Sequence, residues 1–159
     1  MDSLIIKSDR YYDLLSTEQI QEIYDKAEDI ANRIAKDYDI KKIKDFLEKE
    51  DFQIEFVQNK QENFKYRARI EIGKTKKIFI YEDSIYNSLD KFDELTYDQL
   101  YDMYIAHEFF HYLAYSNEID TTYYVYKKTM FGKRKLKVLA LGELAASKFA
   151  QKISGSSVS

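Results

Sequence analysis

A chain of 159 residues, 45% hydrophobic and 33% charged, has the size and balance of one soluble globular domain. Its net charge of −3 and pI near 5.5 argue against nucleic-acid binding through bulk positive charge. The absence of cysteine excludes disulfides, thiolate metal sites and cysteine nucleophiles, so any metal must be held by histidine and carboxylate. The opening MDSLIIKSDRYYDLL lacks the basic region and apolar run of a signal peptide, and no run of about 18 apolar residues offers a membrane span. The expectation is a cytoplasmic protein with no membrane partner and no direct nucleic-acid contact. The chain has no Pro or Trp but 15 Tyr, which reads as a compositional bias of the source genome.

In chain order, Ser16-Thr17-Glu18-Gln19 is a capping-box pattern, with Ser16 at the N-cap and Gln19 three positions into the helix. Behind it Ile20, Ile23, Ala27, Ile30, Ala31 and Ile34 recur at helical spacing, predicting a helix over 17–38. A short helix over 40–49 carries Ile43, Phe46 and Leu47. The period then falls to two. Phe52, Ile54 and Phe56 predict a strand, as do Tyr66, Ala68, Ile70 and Ile72, and a turn at 73–76 leads into a partner strand over 77–81. The polar stretch 83–93 has room for a short helix.

Thr96-Tyr97-Asp98-Gln99 is a second capping box, opening a helix through Leu100, Met103, Tyr104, Phe110, Leu113 and Ala114, with Asn117 as its stop. The β-branched and aromatic residues of 121–128 suit a strand or an ordered loop, and Phe131–Lys135 reads as a basic turn, a solvated loop rather than a nucleic-acid contact. A last helix is expected over 137–153, before a disordered tail at 154–159. With no repeat and no Pro/Gly-rich linker, residues 1–153 read as a single domain.

Both histidines fall in the second capped helix, as His107-Glu108-Phe109-Phe110-His111. Side chains at i and i+4 share a helix face, so two imidazoles there can reach one tetrahedral ion, with the intervening glutamate near its water. Two histidines placed at random in such a chain fall four apart about one time in a hundred, before a following glutamate is required. Surface or core histidines are the alternative. A carboxylate among Ile105, Phe109, Phe110 and Leu113 would, however, be costly to bury without a partner.

A catalytic zinc keeps three protein ligands and one open position. No third histidine exists, so the third ligand must be Asp or Glu. Glu118 and Asp120 are near but lie past the helix end, where a solvated terminus is the simpler reading. Glu143, in LGELAASKFAQKI, is the stronger candidate. It looks like a buried glutamate in an apolar run, and Ala145, Ala146 and Ala150 let its helix approach the histidine helix closely. Its alternative role is a first-turn glutamate stabilised by the helix dipole.

The pair IAHEFFHYL and GELAASKFAQKI resembles the ImmA/IrrE metallopeptidases, HExxH enzymes of the gluzincin type. Glu143, Ala146, Phe149 and Ala150 fit that family's E-x-x-A-(N/D)-x-F-A pattern, whereas Ser147 stands where Asn or Asp is frequent, and 121–135 is an elaboration. The resemblance implies a minimal zincin-like α+β domain: N-terminal helices, a small antiparallel sheet, the HExxH helix and a C-terminal ligand-bearing helix. It further implies zinc on His107, His111 and Glu143, with Glu108 as general base. The implied activity is that of a regulatory endopeptidase acting on a specific protein, such as the helix-turn-helix repressor of a phage or mobile element. A non-proteolytic zinc-containing binding protein and a narrow-specificity toxin or effector protease are the alternatives. Tyr112, Tyr115, Tyr123, Tyr124 and Tyr126 are candidate oxyanion donors, and the 77–81 strand is a candidate edge for pairing with an extended substrate.

Overall fold

The computed structural model describes residues 2–58, 68–91 and 94–154. Among them the fold is α+β, with six α-helices, a three-stranded sheet and a separate two-stranded ribbon. The helices are α1 (Asp2–Lys7), α2 (Thr17–Asp37), α3 (Ile40–Lys49), α4 (Glu82–Lys91), α5 (Tyr97–Tyr115) and α6 (Ala140–Ile153). The strands are β1 (Gln53–Val57), β2 (Ala68–Ile72), β3 (Lys76–Tyr81), β4 (Tyr124–Thr129) and β5 (Gly132–Lys137).

Both capping boxes form. Ser16 and Thr96 each accept from the backbone N–H of the glutamine three residues on, and each glutamine side chain accepts in return from the capping residue's N–H. Asp39 caps α3 in the same way through the N–H of Lys42. Asn117, with φ of 60°, turns the chain away just past α5.

The small sheet is mixed rather than wholly antiparallel. β2 and β3 form the expected hairpin, but β1 lies on the other side of β3 and runs parallel to it. Tyr66, expected in the second strand, lies outside the described residues. Because β3 is central, both its faces are covered and Ile78, Phe79, Ile80 and Tyr81 are all buried. Both its edges are already paired, which removes the 77–81 strand as a site for substrate pairing.

Helix α5 is the centre of the molecule. The sheet, α3 and α4 pack on it, and α6 packs on both α5 and α2. Leu100, Tyr104, Ile105, Ala106, Phe109, Phe110 and Leu113 are buried around its circumference. The two phenylalanines of the histidine motif anchor it against different neighbours. Phe109 meets Tyr38 and Phe46 edge-on at 5.0 and 5.4 Å, and Phe110 meets Phe149 of α6 at 5.6 Å.

Helix α6 begins at Ala140, not Lys137, which is the last residue of β5. Its first turn has no local capping side chain. Asp9 does that work from the other end of the chain, its Oδ2 accepting from the N–H groups of Leu139 at 2.9 Å and Ala140 at 2.8 Å. The basic Lys133-Arg134-Lys135 lies within strand β5 instead of a turn, and the hairpin reverses at Met130-Phe131.

Candidate metal centre

Helical spacing places His107 and His111 on one strip of α5, each with about a quarter of its side chain exposed. Across from them α6 presents Glu143 from its first turn. The close approach of the two helices depends on small residues: Ala145, Ala146 and Ala150 are all buried. Gly142 serves a similar end one residue earlier. A Cβ there would lie 3.3 Å from the Thr121 hydroxyl, so glycine lets the segment after α5 pass close beside the Glu143 turn.

Three side chains converge. His107 Nε2 and His111 Nε2 are 3.1 Å apart, Glu143 Oε1 is 3.1 Å from His111 Nε2, and Glu143 Oε2 is 3.4 Å from His107 Nε2. Ligands of a tetrahedral ion with bonds of about 2.0–2.1 Å stand about 3.3–3.4 Å apart; the two imidazole nitrogens are close to that spacing, and with one oxygen taken from Glu143 the three ligand atoms lie within 4.8 Å of one another. Hydrogen bonding accounts for the cluster less well. Each Nε2 has one position for a proton or a lone pair, yet each faces two neighbours. A single cation at the centre satisfies all three groups together. Among the described residues, His107, His111 and Glu143 form the one group of His, Asp and Glu side chains able to hold a metal ion.

The other carboxylates considered lie elsewhere. Glu118 is exposed beyond the end of α5. Asp120 is occupied locally, its Oδ1 accepting from the N–H of Thr122 at 2.9 Å and from the Thr122 hydroxyl at 2.6 Å, bonds that hold its carboxyl below the usual range. One expectation about Glu143 fails. Its side chain is not buried but 52% exposed, at the rim of the site. Burial would raise its carboxyl, but the contacts to His107 and His111 outweigh that effect and hold it well below the usual carboxylate range. His111 shifts upward correspondingly: burial acts to lower it, and the Glu143 bond with the charges of Glu143 and Glu108 acts more strongly to raise it.

Glu108 is in the opposite situation. It is 6% exposed, and among the described residues its carboxylate makes no hydrogen bond or ion pair. Burial raises its carboxyl, aided by Glu143 and opposed by the two histidines. It is therefore a carboxylate within electrostatic reach of all three converging groups but not bonded to them.

The tyrosine candidates are largely accounted for by other contacts. Tyr123 donates to Glu22 at 2.9 Å, Tyr112 packs on Phe46 and Phe52, and Tyr124 lies beneath the Lys135 ammonium. Tyr115 and Tyr126 are exposed, and none of the five lines the depression beside His111 and Glu143. Ser147, one turn past Glu143, makes no side-chain hydrogen bond to either histidine among the described residues. Sequence reasoning missed Asp9, which caps the helix carrying Glu143 from 131 residues away; no local pattern announces such a bond.

No protein-family model, curated protein or solved structure matches this chain. Among the described residues, no helix is long and apolar enough to cross a membrane.

Proposed function

We propose that this protein is a zinc-dependent endopeptidase of the HExxH gluzincin type, with His107, His111 and Glu143 as ligands and Glu108 as general base. The observation that carries the reading is the convergence of Glu143 on both histidines, within 4.8 Å, from a separate helix more than thirty residues on. Two imidazoles and one carboxylate suit zinc among the divalent metals and leave a fourth position open. When bound, zinc supplies Lewis acidity toward water and toward a carbonyl oxygen.

The chain's own residues do the rest. Glu108, raised by burial, takes the proton from the attacking water and returns it to the departing amide nitrogen. Its burial keeps competing water away from the carboxylate. Glu143 balances part of the positive charge and fixes the angle of both imidazoles. Phe109 and Phe110, locked between α2, α3 and α6, hold the register of α5 so that base and ligands keep their relation.

The resemblance to ImmA/IrrE enzymes suggests a regulatory role and a specific protein target, such as a helix-turn-helix repressor encoded nearby. A purely structural ion clamping α5 to α6, as in a non-proteolytic binding protein, would leave a buried Glu108 without a purpose. The test is to incubate zinc-loaded wild type and Glu108→Gln with a repressor encoded beside the gene and with peptides from a denatured proteome, and to sequence new N-termini by mass spectrometry. New termini in the wild-type sample alone support the reading. Identical termini in both samples, or none in either, contradict it.

A further inference from the structure

In chain order the β4–β5 hairpin lies between the helix of the two histidines and the helix of Glu143, and its charge is one-sided. Lys127, Lys128, Lys133, Arg134, Lys135 and Lys137 lie on it, with no acidic residue between Asp120 and Glu143. The rest of the chain, with 19 of the 25 basic residues and all 28 acidic ones, carries −9. The register sets like charges directly opposite each other, Lys128 against Lys133 and Lys127 against Arg134, an arrangement that destabilises a two-stranded ribbon. Among the described residues none of these four forms an ion pair.

The hairpin is nonetheless a built element. Val125 and Leu136 anchor its base in the core, and the Thr129 hydroxyl donates to the Gly132 carbonyl at 2.7 Å across the turn. Beyond that bond stand Met130 and Phe131, 94% and 98% exposed. The outer face presents Tyr124, Tyr126 and Lys128 opposite Lys137, Lys135 and Lys133. At its base, Lys137 and the exposed Leu139 line the same depression as His111 and Glu143. From Lys133 to Lys137 the strand spans about 13 Å, the reach of about four residues of an extended chain.

We propose that this hairpin is the docking arm for an acidic, extended segment of the polypeptide substrate. Carboxylates of that segment lie along Lys128, Lys133, Lys135 and Lys137, an apolar side chain covers Met130 and Phe131, and the chain continues past Leu139 to the metal cluster. The choice of a polypeptide rests on the peptidase reading, because an occupant of the stem is led into the depression at His111 and Glu143. The charge and the exposed tip call for an anionic, partly apolar partner in any case.

The test uses full-length zinc-loaded Glu108→Gln protein and two labelled peptides, one alternating Glu and Leu, the other alternating Gln and Leu. The Glu peptide should bind at least about tenfold more tightly, and binding should weaken as salt rises. Replacing Lys128, Lys133 and Lys135 together with Glu should abolish that preference, and the pair Met130→Ser and Phe131→Ser should weaken both peptides, with zinc content and circular dichroism unchanged. A Lys128→Gln, Lys133→Gln and Lys135→Gln variant gives the same reading should the reversed one not fold. Equal binding of the two peptides would overturn the proposal. So would charge reversal without effect, or tighter hairpin-dependent binding to phosphatidylglycerol vesicles or duplex DNA than to the Glu peptide. The two readings fail separately. Hairpin-dependent binding without any cleavage by wild type sinks the peptidase and leaves the docking surface. Cleavage that is indifferent to acidic segments and to the hairpin substitutions does the reverse.

Discussion

Glu108 is the single charged side chain that the fold buries among the described residues, and it sits beside two histidines and a carboxylate. A buried carboxylate without hydrogen bonds costs stability, so its position calls for a use. Exchanging it for the isosteric amide tests that use. Glu108→Gln should keep its metal and should not lower the melting temperature, while the rate of peptide cleavage falls by about 10²–10⁴, the range for a lost general base. Turnover at the wild-type rate would remove Glu108 from the mechanism. At this scale much of the site was legible, because His107, Glu108 and His111 are fixed relative to one another by helix geometry alone. The exposure of Glu143 was not. An apolar run around a glutamate shows that its helix is buried, but a first-turn side chain can leave the core at the helix end. Ala145, Ala146 and Ala150 are buried as their pattern implies, while Glu143 reaches to the rim.

Among elements, α6 decides whether the proposed third ligand, Glu143, is in place. Its first turn hangs on Asp9, whose Oδ2 accepts from two backbone N–H groups at once. Asp9→Ala should cost about 1–2 kcal/mol in a urea melt, the loss expected for an N-cap, and should also weaken metal binding because Glu143 lies in the turn that frays. Unchanged affinity would mean that the turn holds without its cap. Ala146, three residues past Glu143 and on its face, is fully buried. Ala146→Leu should force α6 away from α5, costing about 1–3 kcal/mol by overpacking, and should lower zinc affinity further than its stability loss alone would suggest. The helices with local caps were readable for that reason: Ser16 and Thr96 announce α2 and α5. Helix α6 has no such signal, which is why its start falls at Ala140 and not at Lys137. The β4–β5 ribbon is only partly legible in the sequence, because lysines interrupt its alternation. What makes it a strand pair is the buried cross-strand contact of Val125 and Leu136 near its base.

For the molecule as a whole, the α+β class follows from the change of period at Phe52, but the parallel placement of β1 beside β3 does not. The unbroken apolar run Ile78-Phe79-Ile80-Tyr81 was the available sign that β3 is central. The N-terminal half is tied to α6 by ions. Glu28 receives Lys152 at 2.7 Å and Lys148 at 3.2 Å, and Lys148 also reaches Asp2 at 3.3 Å. The Lys152 hydrogen bond leads in holding the Glu28 carboxyl below its ordinary value of 4.5, against a smaller desolvation effect. A lowered carboxylate contributes stability above its unfolded value, and that contribution fades as pH falls through the lower folded one. Wild type should therefore exceed Glu28→Gln in stability by up to about 1 kcal/mol near neutrality, given the exposure of the pair. In urea titrations the gap should close as pH falls below the ordinary carboxylate value of 4.5; a gap independent of pH would contradict the ionic origin. Above all this stands the proposed metal site, and its most direct test is elemental analysis of purified wild type, Glu143→Ala and Glu118→Ala after dialysis against zinc and then buffer. The geometry predicts a single zinc per chain in wild type and Glu118→Ala, and loss of zinc in Glu143→Ala. Metal-free wild type, or zinc retained without Glu143 and lost without Glu118, would contradict the site.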